Sequence, residues 1–136
     1  MREIIGGPIL MKNTEWNSSE ENIIAQILNM YDISYIHDKV LFDLYTPNGG
    51  HPKIDFMIYL DNGDYVFIEY QGKQHYVEDP DNPEFGRYQR EVTDPLKRWY
   101  CREKRIPLYE ISYLENTRER LLDILVEIDL VKYSIL

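Results

Sequence analysis

Cysteine and long apolar runs are both scarce in this sequence. The one cysteine, Cys101, excludes an internal disulfide, and no cluster of Cys and His residues has the spacing of a zinc site. No apolar run approaches the roughly 18 residues that a membrane-spanning helix needs. The N-terminal stretch MREIIGGPILMKN has neither the sustained apolar core nor the cleavage site of a signal peptide. We therefore expect a cytoplasmic protein with no membrane partner.

The length of 136 residues suits one domain and leaves no room for a second. With 43% hydrophobic and 29% charged residues, the composition is that of an ordinary folded domain rather than a disordered chain. Residues 1–16 show no clear period and are interpreted as an N-terminal arm. Residues 115–136 are interpreted as a C-terminal helix and tail.

The net charge of −9 is unevenly distributed along the chain. Residues 87–105 contain seven basic and three acidic residues, so this stripe carries +4 and the remainder carries −13. A local basic stripe can contact phosphates even on an acidic protein, although long-range attraction is weak. The alternative is a solvated helix face with no ligand.

Hydrophobic periodicity predicts elements in the order α–β–β–β–α–β–α. The first helix opens at residues 17–21, where Ser18 and Glu21 have capping-box spacing, and ends near Asp32. A second helical stretch covers residues 87–104 and is divided at Pro95, with Asp94 as its N-cap. The remaining predicted elements are two short β-like runs at 33–38 and 40–45, a hairpin of strands 53–60 and 65–70, a strand at 106–112 and a helix at 115–131.

Two acidic residues interrupt the apolar strands of this hairpin. Asp55 stands in KIDFMIYL and Glu69 in YVFIEY, and a carboxylate in an apolar strand is costly to bury unless it is paired or metal-bound. The two carboxylates can face each other across a hairpin, and such oxygens suit Mg²⁺. Gln71 points to the same strand face as Glu69, because side chains alternate with a period of two. For either acid alone, a partnered strand residue would be the simpler interpretation.

The pattern of Ile54-Asp55, a hairpin, then Glu69-Tyr70-Gln71 resembles the PD-(D/E)xK nuclease superfamily, with Gln in the usual Lys place. The stretch IEYQGKQHY, followed by Asp94, Lys97 and Tyr100-Cys101, is similar to nuclease domains related to very-short-patch-repair endonucleases and certain phage homing endonucleases. The resemblance extends from about Ser18 to Tyr113. It implies a restriction-endonuclease-like core, with a central mixed sheet flanked by helices.

The resemblance also implies roles for individual residues. Asp55 and Glu69 would bind the metal, Mg²⁺ or Mn²⁺, and Gln71 would help to position the water or the phosphate. Glu21, His75 and Asp94 would complete the catalytic centre, with His75 a candidate general acid or base. The residues expected to contact nucleic acid are Lys73, Arg90, Lys97, Arg98 and Arg102.

Each added residue has another explanation. Glu21 completes a capping box, His75 can end the strand or bind a backbone carbonyl, and Asp94 stands where an N-cap belongs. Cys101 is expected to be a small buried hydrophobic residue rather than a nucleophile. His37 and His51 have no ligand partner at useful spacing and are left out of the predicted site.

The function implied is metal-dependent hydrolysis of phosphodiester bonds by an endonuclease acting on DNA. Ala25 is the only alanine, and the Ile-, Asn- and Tyr-rich composition favours an AT-rich genome, consistent with a phage or mobile-element origin. A homodimer or a partner protein is compatible with the single domain. The alternative is a catalytically silent nuclease-fold protein that binds another protein through an acidic decoy surface.

Overall fold

A computed structural model describes residues 2–3 and 19–133. The elements are β1 (Arg2–Glu3), α1 (Ser19–Met30), β2 (Tyr35–Val40), β3 (Lys53–Tyr59), β4 (Tyr65–Gln71), α2 (Asp94–Lys104), β5 (Leu108–Ser112), α3 (Thr117–Glu127) and β6 (Val131–Lys132). Strands β2 to β5 form one mixed sheet in the spatial order of their numbers, in which β4 and β5 are parallel and the other neighbours are antiparallel. Two short strands, β1 and β6, form a separate parallel pair.

Helices cover both faces of the sheet, as the sequence predicted. One face packs against α1 and α3 in a large apolar cluster that includes Phe56, Ile68 and Ile111 of three strands. Met57 and Phe67 contribute to a smaller cluster, which also contains Tyr100 and Cys101 of α2. Neighbouring strand residues thus point to opposite apolar layers, because side chains alternate along a strand. The α/β class with a central mixed sheet is confirmed.

The predicted hairpin is present as β3 and β4. The ladder runs from Tyr59↔Tyr65 back to Phe56↔Ile68. Gly63 has a φ of +90°, a left-handed conformation that glycine adopts without steric cost, and its amide donates to the carbonyl of Leu60 at 3.1 Å. The turn therefore fixes the register that places the acidic residues of the two strands near each other.

The predicted β-like run at 40–45 is wrong, because the strand ends at Val40. The amide of Leu41 still donates to the carbonyl of Pro52 at 2.9 Å, after which the chain turns. Leu41 and Leu44 are buried in the smaller cluster beside Tyr100. The apolar spacing of this run reflects packing of a turn under α2 rather than strand pairing.

The interpretation of Asp94 as an N-cap is also wrong. A π-helical segment, Gln89–Thr93, runs directly into α2, and Asp94 already has helical angles of φ −64° and ψ −48°. Pro95 occupies the first turn of α2, at the junction where the π-helical hydrogen bonding of the preceding segment ends. The Asp94 side chain is consequently available for contacts outside its own helix.

The C-terminal helix is shorter than predicted. Helix α3 begins after Asn116, whose side chain accepts a 3.0 Å hydrogen bond from the amide of Glu119, and it ends at Glu127. Asp129 has a φ of +63° and turns the chain, so that Val131 enters β6 instead of extending the helix. The apolar residues at 130 and 131 are buried without being helical.

The capping role proposed for Ser18 lies outside the described residues, as does most of the arm assigned to residues 1–16, of which Arg2–Glu3 form β1. In the described part of the chain, no helix combines the length and the apolarity that crossing a bilayer requires.

Candidate metal and nuclease site

A row of four carboxylic acids crosses the sheet, one from each strand of β2 to β5. We call Asp38, Asp55, Glu69 and Glu110 the acid row. The β2–β3 ladder skips one step between His37↔Phe56 and Lys39↔Ile54, and Asp38 and Asp55 lie at that step. The β3–β4 ladder ends at Phe56↔Ile68, one step before Asp55 and Glu69. Between β4 and β5, Glu69 is paired directly with Glu110. Because like charges opposite each other destabilise a sheet, such a row requires compensating cations.

Asp55 lies half-buried at the centre of this arrangement. Its Oδ2 accepts a 2.8 Å hydrogen bond from the backbone amide of Tyr70. Glu69 on the neighbouring strand is only 3% exposed. Burial, followed by the charge of Asp55, raises the pKa of Glu69 well above its usual range, and Lys97 opposes this shift. The two predicted metal ligands are therefore brought into electrostatic contact.

Helix α2 places a cation against this pair. Asp94, Lys97 and Cys101 follow one another at helical spacing and share the buried face of the helix. The ammonium Nζ of Lys97 donates to Glu69 Oε1 at 2.8 Å. Burial lowers the pKa of Lys97, but Glu69 and Asp55 outweigh burial, so the net shift is upward. Lys97, predicted to contact nucleic acid, thus lies inside the carboxylate cluster.

Gln71 is 2% exposed and makes a directed hydrogen bond to the last acid of the row. Its Nε2 donates to Glu110 Oε2 at 2.7 Å, and Arg98 holds both oxygens of Glu110 at 2.8 Å. The hydrogen bond from Arg98 lowers the pKa of Glu110 against the effect of burial. An ionised carboxylate only accepts hydrogen bonds, so the amide orientation of Gln71 is fixed. Gln71 Oε1 is buried and has no hydrogen-bond partner within the described residues.

His75 and Asp94 form a second buried pair. A short 3₁₀ turn, Lys73–His75, follows β4 and directs His75 toward α2. The distance from His75 Nδ1 to Asp94 Oδ2 is 2.7 Å, and Asp94 is 3% exposed. A carboxylate can only accept, so Nδ1 carries the proton and Nε2 is left as the basic nitrogen. Asp94 Oδ1 is buried without a hydrogen-bond partner among residues 19–133.

Glu21 reaches the acid row from the opposite face. It precedes Ile24 and Leu28 at helical spacing, so it lies on the buried side of α1. Its Oε1 lies 3.3 Å from His37 Nε2, and the same nitrogen lies 3.4 Å from Asp38 Oδ1. Burial and the charge of Asp55 raise the pKa of Glu21, and the hydrogen bond to His37 opposes them.

The basic stripe is largely occupied by contacts within the chain. Arg90 donates to the backbone carbonyls of Gln74, Val77 and Phe85, so it braces the loop before the π-helical segment. Four other cations each pair with a carboxylate, namely Arg87 with Glu78 and Glu84, Lys97 with Glu69, Arg98 with Glu110 and Lys104 with Asp43. Arg102 and Arg105 are exposed, as is Lys73, and within residues 19–133 none of these three forms an ion pair.

Sequence reasoning missed three members of these clusters. Glu110 interrupts an apolar strand in the same way as Asp55 and Glu69, so the rule that selected those two also applies to it. His37 and Asp38 carried no such signal. Asp38 has a φ of +53°, and this left-handed residue breaks the strand alternation that would have pointed the two side chains apart.

The comparisons with known proteins add no relative: no family model, no curated protein and no solved structure matches the chain.

Proposed function

We propose that the protein is a Mg²⁺- or Mn²⁺-dependent endonuclease that hydrolyses phosphodiester bonds in DNA, built on a restriction-endonuclease-like core. The observation that carries the proposal is the convergence of Asp55 and Glu69 from a hairpin, with Lys97 bound to Glu69. The α/β architecture, with a four-stranded mixed sheet and three helices, is compatible with such a core.

The residues at the site fit a hard divalent cation. Asp55 and Glu69 supply carboxylate oxygens, the donors that Mg²⁺ and Mn²⁺ prefer. Two carboxylates in contact require a proton or a cation between them, which is consistent with the raised pKa of Glu69. Asp55 and Glu69 are therefore the residues that would hold the metal. When bound, the metal supplies a water of lowered pKa and offsets charge on the phosphate.

Lys97 supplies the positive charge that Gln71 lacks. In the superfamily pattern that the sequence resembles, a lysine stands at the position of Gln71. Here an ammonium group from α2 reaches the same carboxylate cluster, at 2.8 Å from Glu69. In this proposal Lys97 stabilises negative charge on the phosphoryl oxygens. Gln71, held by Glu110, contributes a fixed carbonyl oxygen that can accept a hydrogen bond from the attacking water.

His75 has the arrangement of a general acid or base. Asp94 orients the ring through Nδ1 and leaves Nε2 to exchange a proton. Nε2 would accept a proton from the nucleophilic water or, once protonated, deliver one to the leaving oxygen. Asp94 acts here through His75 and is a positioning residue.

The test is incubation of the purified protein with supercoiled, linear, single-stranded and branched DNA, in Mg²⁺ or Mn²⁺ and in EDTA. We expect metal-dependent cleavage that Asp55→Ala abolishes, because one carboxylate leaves too few hard oxygen ligands. Asp64→Ala, in the exposed hairpin turn, is the matched control and should cut like the wild type. Absence of cleavage in both metals, or equal cleavage by a folded Asp55→Ala variant, contradicts the proposal.

One observation favours a second candidate, the silent nuclease-fold protein with an acidic decoy surface. Most cations of the basic stripe are neutralised by carboxylates of the same chain, while the loop that contains Glu78, Asp79, Asp81 and Glu84 is exposed and acidic. A decoy has no need to bind metal between Asp55 and Glu69. A Mn²⁺-induced rise in melting temperature that disappears in Asp55→Ala favours the nuclease over the decoy.

A further inference from the structure

The two ends of the acid row are balanced differently. At one end Glu69 binds Lys97 and Glu110 binds Arg98, each at 2.8 Å. At the other end, within residues 19–133, neither Asp38 nor Asp55 has a lysine or arginine at ion-pair distance. Glu21 adds a third carboxylate to this end of the row, close to Asp55. The imidazole of His37 contacts two of these acids, Glu21 and Asp38.

The potential ligand atoms at this end already converge. One atom each from Glu21, His37 and Asp38 lies within 4.8 Å of the others. The His37 Nε2 distances of 3.3 Å to Glu21 Oε1 and 3.4 Å to Asp38 Oδ1 are long for N–H···O hydrogen bonds, which centre on about 2.9–3.0 Å. They match the edge of a coordination tetrahedron, which is about 3.3–3.4 Å when metal–ligand bonds are about 2.0–2.1 Å.

The chemistry of this set differs from that of the carboxylate pair. An imidazole nitrogen beside two carboxylates suits zinc and neighbouring transition-metal ions, whereas Mg²⁺ and Ca²⁺ favour all-oxygen sites. We propose that Glu21, His37 and Asp38 form a transition-metal site, of the Zn²⁺ class, beside the Asp55–Glu69 pair. The ion joins α1 to β2, since Glu21 belongs to the helix and the other two ligands belong to the strand.

Two features of the local backbone lie at this site. Asp38 holds a left-handed conformation in mid-strand, which is unfavourable for most side chains and brings its carboxylate beside His37. The ladder is interrupted at the same residue, so Asp38 contributes no pairing there. The proposal does not require nuclease activity, because none of its three ligands is one of the two carboxylates assigned to the nuclease metal.

The test is a titration of the full chain with Co²⁺, followed by visible d–d absorption, and then competition by Zn²⁺. We expect the tightest-bound equivalent of Co²⁺ to show nitrogen ligation and to be displaced by Zn²⁺. His37→Ala should weaken binding by more than the roughly tenfold to hundredfold that loss of an outer-shell partner costs. Asp38→Asn keeps a residue that tolerates φ near +53° and removes the charge, so it tests the ligand without breaking the turn.

Two controls separate this site from the others. His51→Ala should bind like the wild type, because His51 bonds the carbonyl of Leu44 and lies outside the cluster. Glu69→Gln should retain Co²⁺ binding while losing cleavage, so failure of one proposal is distinguishable from failure of the other. Absence of Co²⁺ and Zn²⁺ binding, or unchanged binding in both folded His37→Ala and Asp38→Asn, overturns the proposal.

Discussion

Lys97 Nζ donates a 2.8 Å hydrogen bond to Glu69 Oε1, and the two side chains are only 13% and 4% exposed. The pair joins α2 to the second strand of the hairpin. Lys97 also offsets negative charge in the middle of the acid row, because Glu69 has Asp55 on one side and Glu110 on the other. Breaking a buried pair is far more costly than breaking a surface one, because the remaining charge is left without solvent or partner.

Lys97→Met should destabilise the fold by about 3–5 kcal/mol, the range for removing one partner of a buried ion pair. Urea denaturation followed by circular dichroism measures the change. Lys104→Met is the matched control, since Lys104 pairs with Asp43 at the surface and its removal should have little effect. Equal midpoints for the two variants would contradict a structural role for the Glu69–Lys97 bond.

The stability of Lys97→Met without metal should fall as the pH rises. The folded-state pKa of Glu69 is raised above its unfolded value, so its favourable contribution is present below the usual glutamate pKa and is lost as the pH passes through the raised value. Lys97 opposes the upward shift of the Glu69 pKa, so its removal should raise that pKa further. Melting temperatures measured in EDTA across acidic and neutral pH should therefore show a steeper decline in the variant than in the wild type, and parallel curves would argue against this assignment.

Substitutions of Gln71 should show whether cleavage depends on the hydrogen bonds of its neutral amide. Gln71→Lys places an ammonium where Glu110 can bind it and should retain metal-dependent cleavage. Gln71→Ala should slow single-turnover cleavage by about tenfold to a thousandfold, the range for losing one positioning group. Gln71→Leu should do at least as much harm, because the polar groups around it lose their partner. Wild-type rates in both Ala and Leu variants would place Gln71 outside the site.

The salt dependence of DNA binding should depend on Arg102 and Arg105 rather than on Arg98. Arg98 is held by Glu110, whereas the other two arginines are exposed and form no ion pair within residues 19–133. Replacing Arg102 and Arg105 with Ala should lower the slope of log K against log salt by about 0.9 for each duplex phosphate that the variant no longer neutralises. Fluorescence anisotropy over a salt series measures this slope, and an unchanged slope would leave the stripe as a solvated surface.

Cys101 should resist alkylation in the folded protein. Its side chain is buried, and burial raises the pKa of the thiol to about 11, which leaves little thiolate at neutral pH. Mass spectrometry after iodoacetamide treatment should find modification only when urea is present. Rapid labelling of the native chain at neutral pH would contradict the burial of this residue.

The elements that the sequence predicted well are those specified by local patterns. The hairpin was predictable because Asp61-Asn62-Gly63-Asp64 forms a turn between two strongly apolar strands. The end of β2 was not, because Leu41 and Leu44 are buried by tertiary packing against α2 and look like strand residues in isolation. The same holds for Val131, which continues the apolar pattern of α3 after the chain has turned at Asp129.

The candidate site divides in a similar way. Asp55, Glu69 and Gln71 were identifiable because polar residues interrupt apolar strands. The partners of Glu69 and Gln71 depend on how α2 and β5 dock, which brings Lys97 and Glu110 across 28 and 39 residues of chain. No local pattern in the sequence of α2 or β5 predicts these long-range contacts with β4. The contact between Glu21 and His37 depends similarly on the packing of α1 against the sheet.

The parallel pairing of β4 with β5 has a consequence for the order of folding. A hairpin such as β3–β4 closes locally, in about 1–10 μs, and brings Asp55 and Glu69 together early. Parallel neighbours need a long crossover, so Lys97 on the connecting helix and Arg98 beside it arrive only with the slower, non-local closure. We therefore expect the acids to meet before their cations do. Repulsion between them opposes the first step of assembly, and screening ions or divalent metal that relieve it should speed refolding as well as stabilise the native chain.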